Sequence, residues 1–248
     1  MKEMFPVMLD QPRDQHCIAG AAYWFFAFFL WPALLALSTI GEYYLPYAPW
    51  LETGYHGLNF LIALIIFFPY LKENFLLLQI HTKKILGTAA ICAVIIVILK
   101  IAFLLISYKA ENKLFAQISL GTLLSTEADL LFFPTILLYN NAIAGTISTV
   151  LFAPFTISCL LYATIFAPLC GKRPWLAYLV TSFLYLVIHL LLAFCLFPFQ
   201  QEMVSFLIQL PIHLIACWSY QKTESIWTPI LTHILVNLLI TGGLLILR

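Results

Sequence analysis

The chain has 248 residues, 63% of them hydrophobic and 9% charged, with a net charge of +1. Soluble domains carry about 25% charged residues, so this chain cannot present an ordinary aqueous surface and reads as a polytopic membrane protein. The near-zero net charge gives no hint of nucleic acid or of a strongly acidic partner; the partner that composition implies is membrane lipid.

The loops are too short for a separate soluble domain, so residues 1–248 read as one all-α transmembrane bundle. Six cysteines, Cys17, Cys92, Cys159, Cys170, Cys195 and Cys217, are scattered through apolar runs without a CxxC or any paired spacing. They read as small hydrophobes rather than a disulfide framework or a zinc ribbon. No cofactor and no metal are expected. No cleavable signal peptide is evident, because the first apolar run follows a mixed-charge tail and is long enough to span.

A short polar tail with Lys2 and Arg13 precedes the first span, about Cys17 to Ile40, which is rich in aromatics and contains Pro32. The loop from Glu42 to His56 holds two acids, several tyrosines and no Lys or Arg, as an external interface does. A second span covers about Leu58 to Leu71. Lys72, Lys83 and Lys84 then bracket an apolar piece, Asn74 to Ile80, that either extends this helix or lies along the surface. The third span, about Ile85 to Tyr108, contains Lys100, which is expected to snorkel outward. The stretch from Ala110 to Asn141, with Glu127, Asp129 and Pro134, is short for a straight crossing, so a tilted, re-entrant or interfacial helix is as good a reading. Spans follow at about Ala142 to Leu169, with Pro154 inside, at Trp175 to Leu196, with His189, and on to Tyr220, with His213. A last apolar run reaches Leu247. Leaving 110–141 uncrossed gives seven spans with the N-terminus cytoplasmic; its crossing would add an eighth. An integral protein of a bacterial plasma membrane is the expected setting. No internal repeat appears, which disfavours an inverted-repeat transporter.

In the last run, SIWTPILTHILVNLL from Ser225 to Leu239, His233 and Asn237 stand four residues apart and project from one helix face. Polar residues inside a span are costly, so a site is the default suspicion, with hydrogen bonding to neighbouring helices as the bland alternative. At about 1.5 Å per residue from the cytoplasmic ends, His189 lies roughly 22 Å deep, His233 roughly 12 Å, Asn237 roughly 18 Å and position 158 roughly 21 Å. Three helices thus bring unusual residues to similar depth. His213, next to Pro211, reads as a helix-contact histidine, and Cys159, about a hundred degrees round the helix from position 158, as packing.

This segment, with the preceding YQKTE, resembles the last motif of the CPBP intramembrane proteases, the group of the type II CAAX prenyl endopeptidases and the bacterial Abi proteins. Their signature there is HxxxN or HxxxD after a T-G-S-I-W-A-P-I lead. Tyr185 to His189, in TSFLYLVIHLL, is similar to the family's FxxxH motif, with Tyr185 in place of phenylalanine. The third family motif, a proline followed two residues later by EExxxR, falls on APFTISCLLYATIF. Here Ile157 and Ser158 stand in place of the glutamates and Tyr162 in place of the arginine. The likeness covers about residues 142–248.

In that family the first glutamate and the FxxxH histidine activate a water for attack on a peptide carbonyl, and HxxxN stabilises the oxyanion. The resemblance therefore implies that His189 positions water and that His233 and Asn237 are oxyanion donors. It also implies a degenerate centre, since isoleucine accepts no proton. Two readings follow: a non-catalytic relative that binds a membrane peptide or partner, or an active intramembrane endopeptidase with a substitute base. Glu127, Asp129 and Glu224 are the candidate substitutes, and Ser158 is a nucleophile only if a base stands beside it. His189 and His233 without a carboxylate or thiolate make a poor zinc site.

Overall fold

The computed structural model describes residues 18–23, 49–109, 147–195 and 199–246, with some side chains inside the helices, His189 among them, outside that set. The described residues are helical throughout, apart from short turns. In chain order the long helices are α1 (Pro49–Ile80), α2 (Thr82–Lys109), α3 (residues 148–170), α4 (Pro174–Cys195), α5 (Phe199–Thr223) and α6 (Trp227–Ile246). The remainder of the first span and all of 110–141 lie outside the described residues.

The apolar piece at 74–80 extends α1, which runs unbroken to Ile80. The chain then turns at once into α2: the His81 N–H donates to the Leu77 carbonyl at 2.9 Å and the Thr82 hydroxyl to that of Leu78 at 2.7 Å. On α1 the buried residues His56, Asn59, Ala63, Phe67, Leu71 and Asn74 recur at helical spacing. The opposite face is as greasy but bare, with Leu61, Ile65 and Phe68 exposed, as lipid contact requires. The buried stripe of α2 runs Ile85, Ala89, Cys92, Ala93, Ile96, and its small residues let α6 lie close along it. Lys100 continues the stripe four residues past Ile96. It is accordingly buried, only 7% exposed, rather than snorkelling outward.

The hub is α3. Of its most apolar window 78% is buried, against 22% for α1 and 39% for α2. Two prolines interrupt its backbone pairing, each lacking an N–H and crowding the carbonyl one turn back. Immediately before each of them the helix widens to π-type i→i+5 pairing, over Ser148–Phe152 ahead of Pro154 and over Cys159–Phe166 ahead of Pro168. Thr156 and Thr164 hydroxyls occupy carbonyls in these stretches, those of Phe152 at 2.9 Å and Cys159 at 3.3 Å, which re-satisfies backbone that hydrocarbon would leave bare. The N-terminal fragment approaches the hub closely at Gly20, where a Cβ would meet Thr164 Oγ1 at 2.5 Å and Phe67 Cζ at 2.8 Å.

The turns joining α1 to α2, α3 to α4 and α5 to α6 share one end of the bundle. The Ile226 N–H donates to Asn74 Oδ1 at 3.2 Å, the Tyr70 and Tyr220 hydroxyls meet at 3.1 Å, and the Tyr178 hydroxyl donates to Gln221 at 2.8 Å. At the last turn Glu224 has φ +57°, and its N–H closes the end of α5 on the Tyr220 carbonyl at 2.6 Å. Ser225 then opens α6 by accepting the Trp227 N–H at 3.3 Å.

A left-handed backbone costs an L-residue about 1–2 kcal/mol, part of which glycine returns as chain entropy. Glu224→Gly is therefore expected to stabilise the chain by roughly 0.5–1 kcal/mol, read as a raised thermal midpoint in detergent. Cysteines placed at Lys83, Lys172 and Glu224 are expected to react with an impermeant maleimide from one side of the membrane only, the cytoplasmic side by their lysine and arginine excess.

Candidate functional site

The hub helix delivers three of the residues singled out in the sequence to one point. Ile157, Ser158 and Tyr162 are each 0% exposed. Across from them, Ser158 Oγ lies 3.4 Å from His233 Nδ1 on α6. The Tyr162 ring sits between two imidazoles, 6.1 Å from His233 and 5.8 Å from His213 by ring centres, and its hydroxyl is 3.4 Å from His213 Nδ1. Position 158 and His233, expected at similar depth, are thus in contact. Asn237, one turn beyond His233, is buried as well.

The FxxxH helix joins through Tyr185, the residue standing for phenylalanine. Its ring stacks on His213 at 4.8 Å and 12°, and its hydroxyl donates to Gln209 Oε1 at 2.5 Å. His189 follows Tyr185 by one turn on α4, and its side chain lies outside the described residues.

His213 is the residue that sequence reasoning undervalued. It is enclosed between the Tyr162 and Tyr185 rings, and its second nitrogen is 3.5 Å from Cys217 Sγ, which in turn is 3.8 Å from the Thr181 hydroxyl. The signal was present: Gln209, His213 and Cys217 repeat every four residues in an apolar helix, the same pattern that drew attention to His233 and Asn237. Reading His213 as a helix-contact histidine was right in kind, since it joins α3, α4 and α5. Cys159 packs in the core, fully buried.

The cluster contains hydroxyls, imidazoles, an amide and a thiol, and among the described residues no carboxylate reaches it. Glu224 is exposed on the α5–α6 turn, at the end of the bundle, which removes it as a substitute base; Glu127 and Asp129 lie outside the described residues. No group of three His, Cys, Asp or Glu among the described residues is placed to hold a metal ion. Ile157, Ser158, Tyr162 and His213 are wholly buried. Chemically the arrangement is a buried junction where the hydroxyls of Ser158 and Tyr162 meet the imidazoles of His233 and His213.

Among the described residues three stretches, His56–Ile80, Thr82–Phe103 and Val150–Cys170, are long and apolar enough to cross a membrane, and the chain is an all-α membrane protein. Residues 139–239, which take in α3 to α5 and α6 as far as Leu239, match the family described as Type II CAAX prenyl endopeptidase Rce1-like. No curated protein and no solved structure matches the chain.

If Tyr162 serves as the shared wall of both imidazoles, its ring and its hydroxyl contribute separately. Tyr162→Phe is expected to cost about 1–2 kcal/mol through the lost partner of His213, and Tyr162→Ala about 3–5 kcal/mol through the cavity left behind. Thermal unfolding of both variants in one detergent checks the ordering; equal losses would mean that the hydroxyl carries the contact alone.

Proposed function

We propose that this is a non-catalytic member of the CAAX-protease family, which retains the helical frame and binds a membrane peptide or partner protein without cleaving it. One observation carries the reading: where peptide hydrolysis needs a water and an anionic base, the group facing His233 from the hub helix is the Ser158 hydroxyl, wholly buried beside the equally buried Ile157. General acid–base assistance contributes typically 10²–10⁴-fold, and oxyanion donors alone leave a small residual acceleration. With the centre filled, a partner engages the outer helix faces rather than a ready-made cavity. The large apolar side chains exposed along α1 and α2, Ile65, Ile91 and Ile98 among them, supply such faces. Ile157, Ser158 and Tyr162 are then packing residues, and His189, His233 and Asn237 keep family positions without a family reaction.

The hydroxyl–imidazole contact between Ser158 and His233 favours one second reading, in which Ser158 is an acyl-transfer nucleophile and His233 its base. The two differ in a simple assay. The purified chain in proteoliposomes, given a panel of membrane peptides, prenylated ones included, is expected to bind members of the panel by fluorescence transfer and to release no cleavage product. Turnover that vanishes with His189→Ala would establish a surviving hydrolytic centre, and turnover that vanishes with Ser158→Ala the serine one; either overturns the non-catalytic reading.

A further inference from the structure

The site leaves unused a concentration of charge among the described residues. Lys72, Lys83, Lys84, Lys172, Arg173 and Lys222 are all exposed; five of them lie at or beside the three turns that share one end of the bundle, and Lys72 lies on α1 two residues before Asn74, which bonds to the α5–α6 turn. Among the described residues of that end only Glu73 and Glu224 oppose them, six cations against two anions. The collection is held, not incidental: Asn74 pins the α5–α6 turn to α1, and Gln221, beside Lys222, is bonded to Tyr178 at the start of α4. Lys222 Nζ also lies 4.6 Å above the Trp218 ring, which directs its ammonium along the protein surface. Trp175, 65% exposed, adds an indole at the same level, two residues past Arg173.

We infer that this basic rim binds the phosphate-bearing headgroups of anionic lipids. Lys83 and Lys84 lie in the first turn of one apolar span, Lys172 and Arg173 just past the end of another, Lys222 in the last turn of α5 and Lys72 level with the α5–α6 turn, which sets the charges near headgroup depth. There the anions in reach are lipid phosphates, whereas an acidic soluble partner would have to enter the interfacial layer to reach them. Exposed tryptophans beside the lysines suit that layer, being apolar in body and polar at one edge. Basic side chains near an anionic membrane surface each strengthen attraction by about fivefold, an effect that fades within a Debye length.

The full chain in nanodiscs of phosphatidylcholine alone, or of phosphatidylcholine with phosphatidylglycerol, provides the test. Native mass spectrometry of the chain released from mixed nanodiscs is expected to find phosphatidylglycerol enriched over the bulk composition. The thermal midpoint is expected to be higher in the anionic discs at low salt and to converge on the neutral value at high salt. Lys172→Gln with Arg173→Gln is expected to weaken the enrichment by at least about tenfold, while Lys172→Arg retains it and controls for folding. Equal retention of the two lipids, or enrichment indifferent to salt, overturns the inference on the wild-type chain alone. Soluble poly-glutamate that binds in neutral discs and displaces phosphatidylglycerol would assign the rim to an acidic protein partner instead, and overturns it too.

Discussion

Hydrocarbon offers no hydrogen bonds, and every polar atom on the hub helix must find its partner inside the protein. That constraint shapes α3 twice over. Its backbone, interrupted by Pro154 and Pro168, widens ahead of each proline and takes threonine hydroxyls onto its carbonyls. Its side chains answer the polar residues of two neighbouring helices: Ser158 meets α6 at His233 and Tyr162 meets α5 at His213, the imidazole on which Tyr185 of α4 also closes. Neutral hydrogen bonds of this kind contribute about 1 kcal/mol each. An unpaired carboxylate in the same place would cost several kcal/mol. The isoleucine, serine and tyrosine at positions 157, 158 and 162 avoid that cost.

Much of this frame was legible in the sequence. The helices from α1 to α6, and the gathering of the Lys83 and Lys172 turns at one end, follow from apolar length and lysine placement. Lys100 was misjudged because its depth was weighed and its phase was not: it stands four residues past Ile96 on the stripe that α6 covers, so it turns inward. The π-type pairing of α3 was out of reach, since a period of 3.6 is assumed in any projection from sequence, and only the two prolines hinted otherwise. Glu224 is a finer case. It occupies the position where the resembled lead sequence has glycine, and its φ of +57° shows why glycine suits that place.

His213 illustrates how the site exceeded its motifs. The family signature directs attention to His189, His233 and Asn237, yet the imidazole most fully enclosed by aromatic rings belongs to α5, outside all three motifs. Gln209, His213 and Cys217 form a polar stripe of their own that pairs with Tyr185, Tyr162 and Thr181. The proposal that the junction is structural rather than hydrolytic draws on these contacts and makes one claim that can be checked, that the centre holds no water.

Water contact at the imidazoles tests that claim most directly. In bilayer samples of the chain with ¹⁵N-labelled histidine, water-edited solid-state NMR reports how fast water magnetisation reaches each ring, with signals assigned by single substitutions. His81, exposed on the α1–α2 turn, serves as the wet reference within the same molecule. The account predicts rapid transfer to His81 and none on the same timescale to His213, with His233 close to it. Transfer to His213 and His233 as rapid as to His81 would place water at the centre and contradict the dry, uncharged junction on which the account depends.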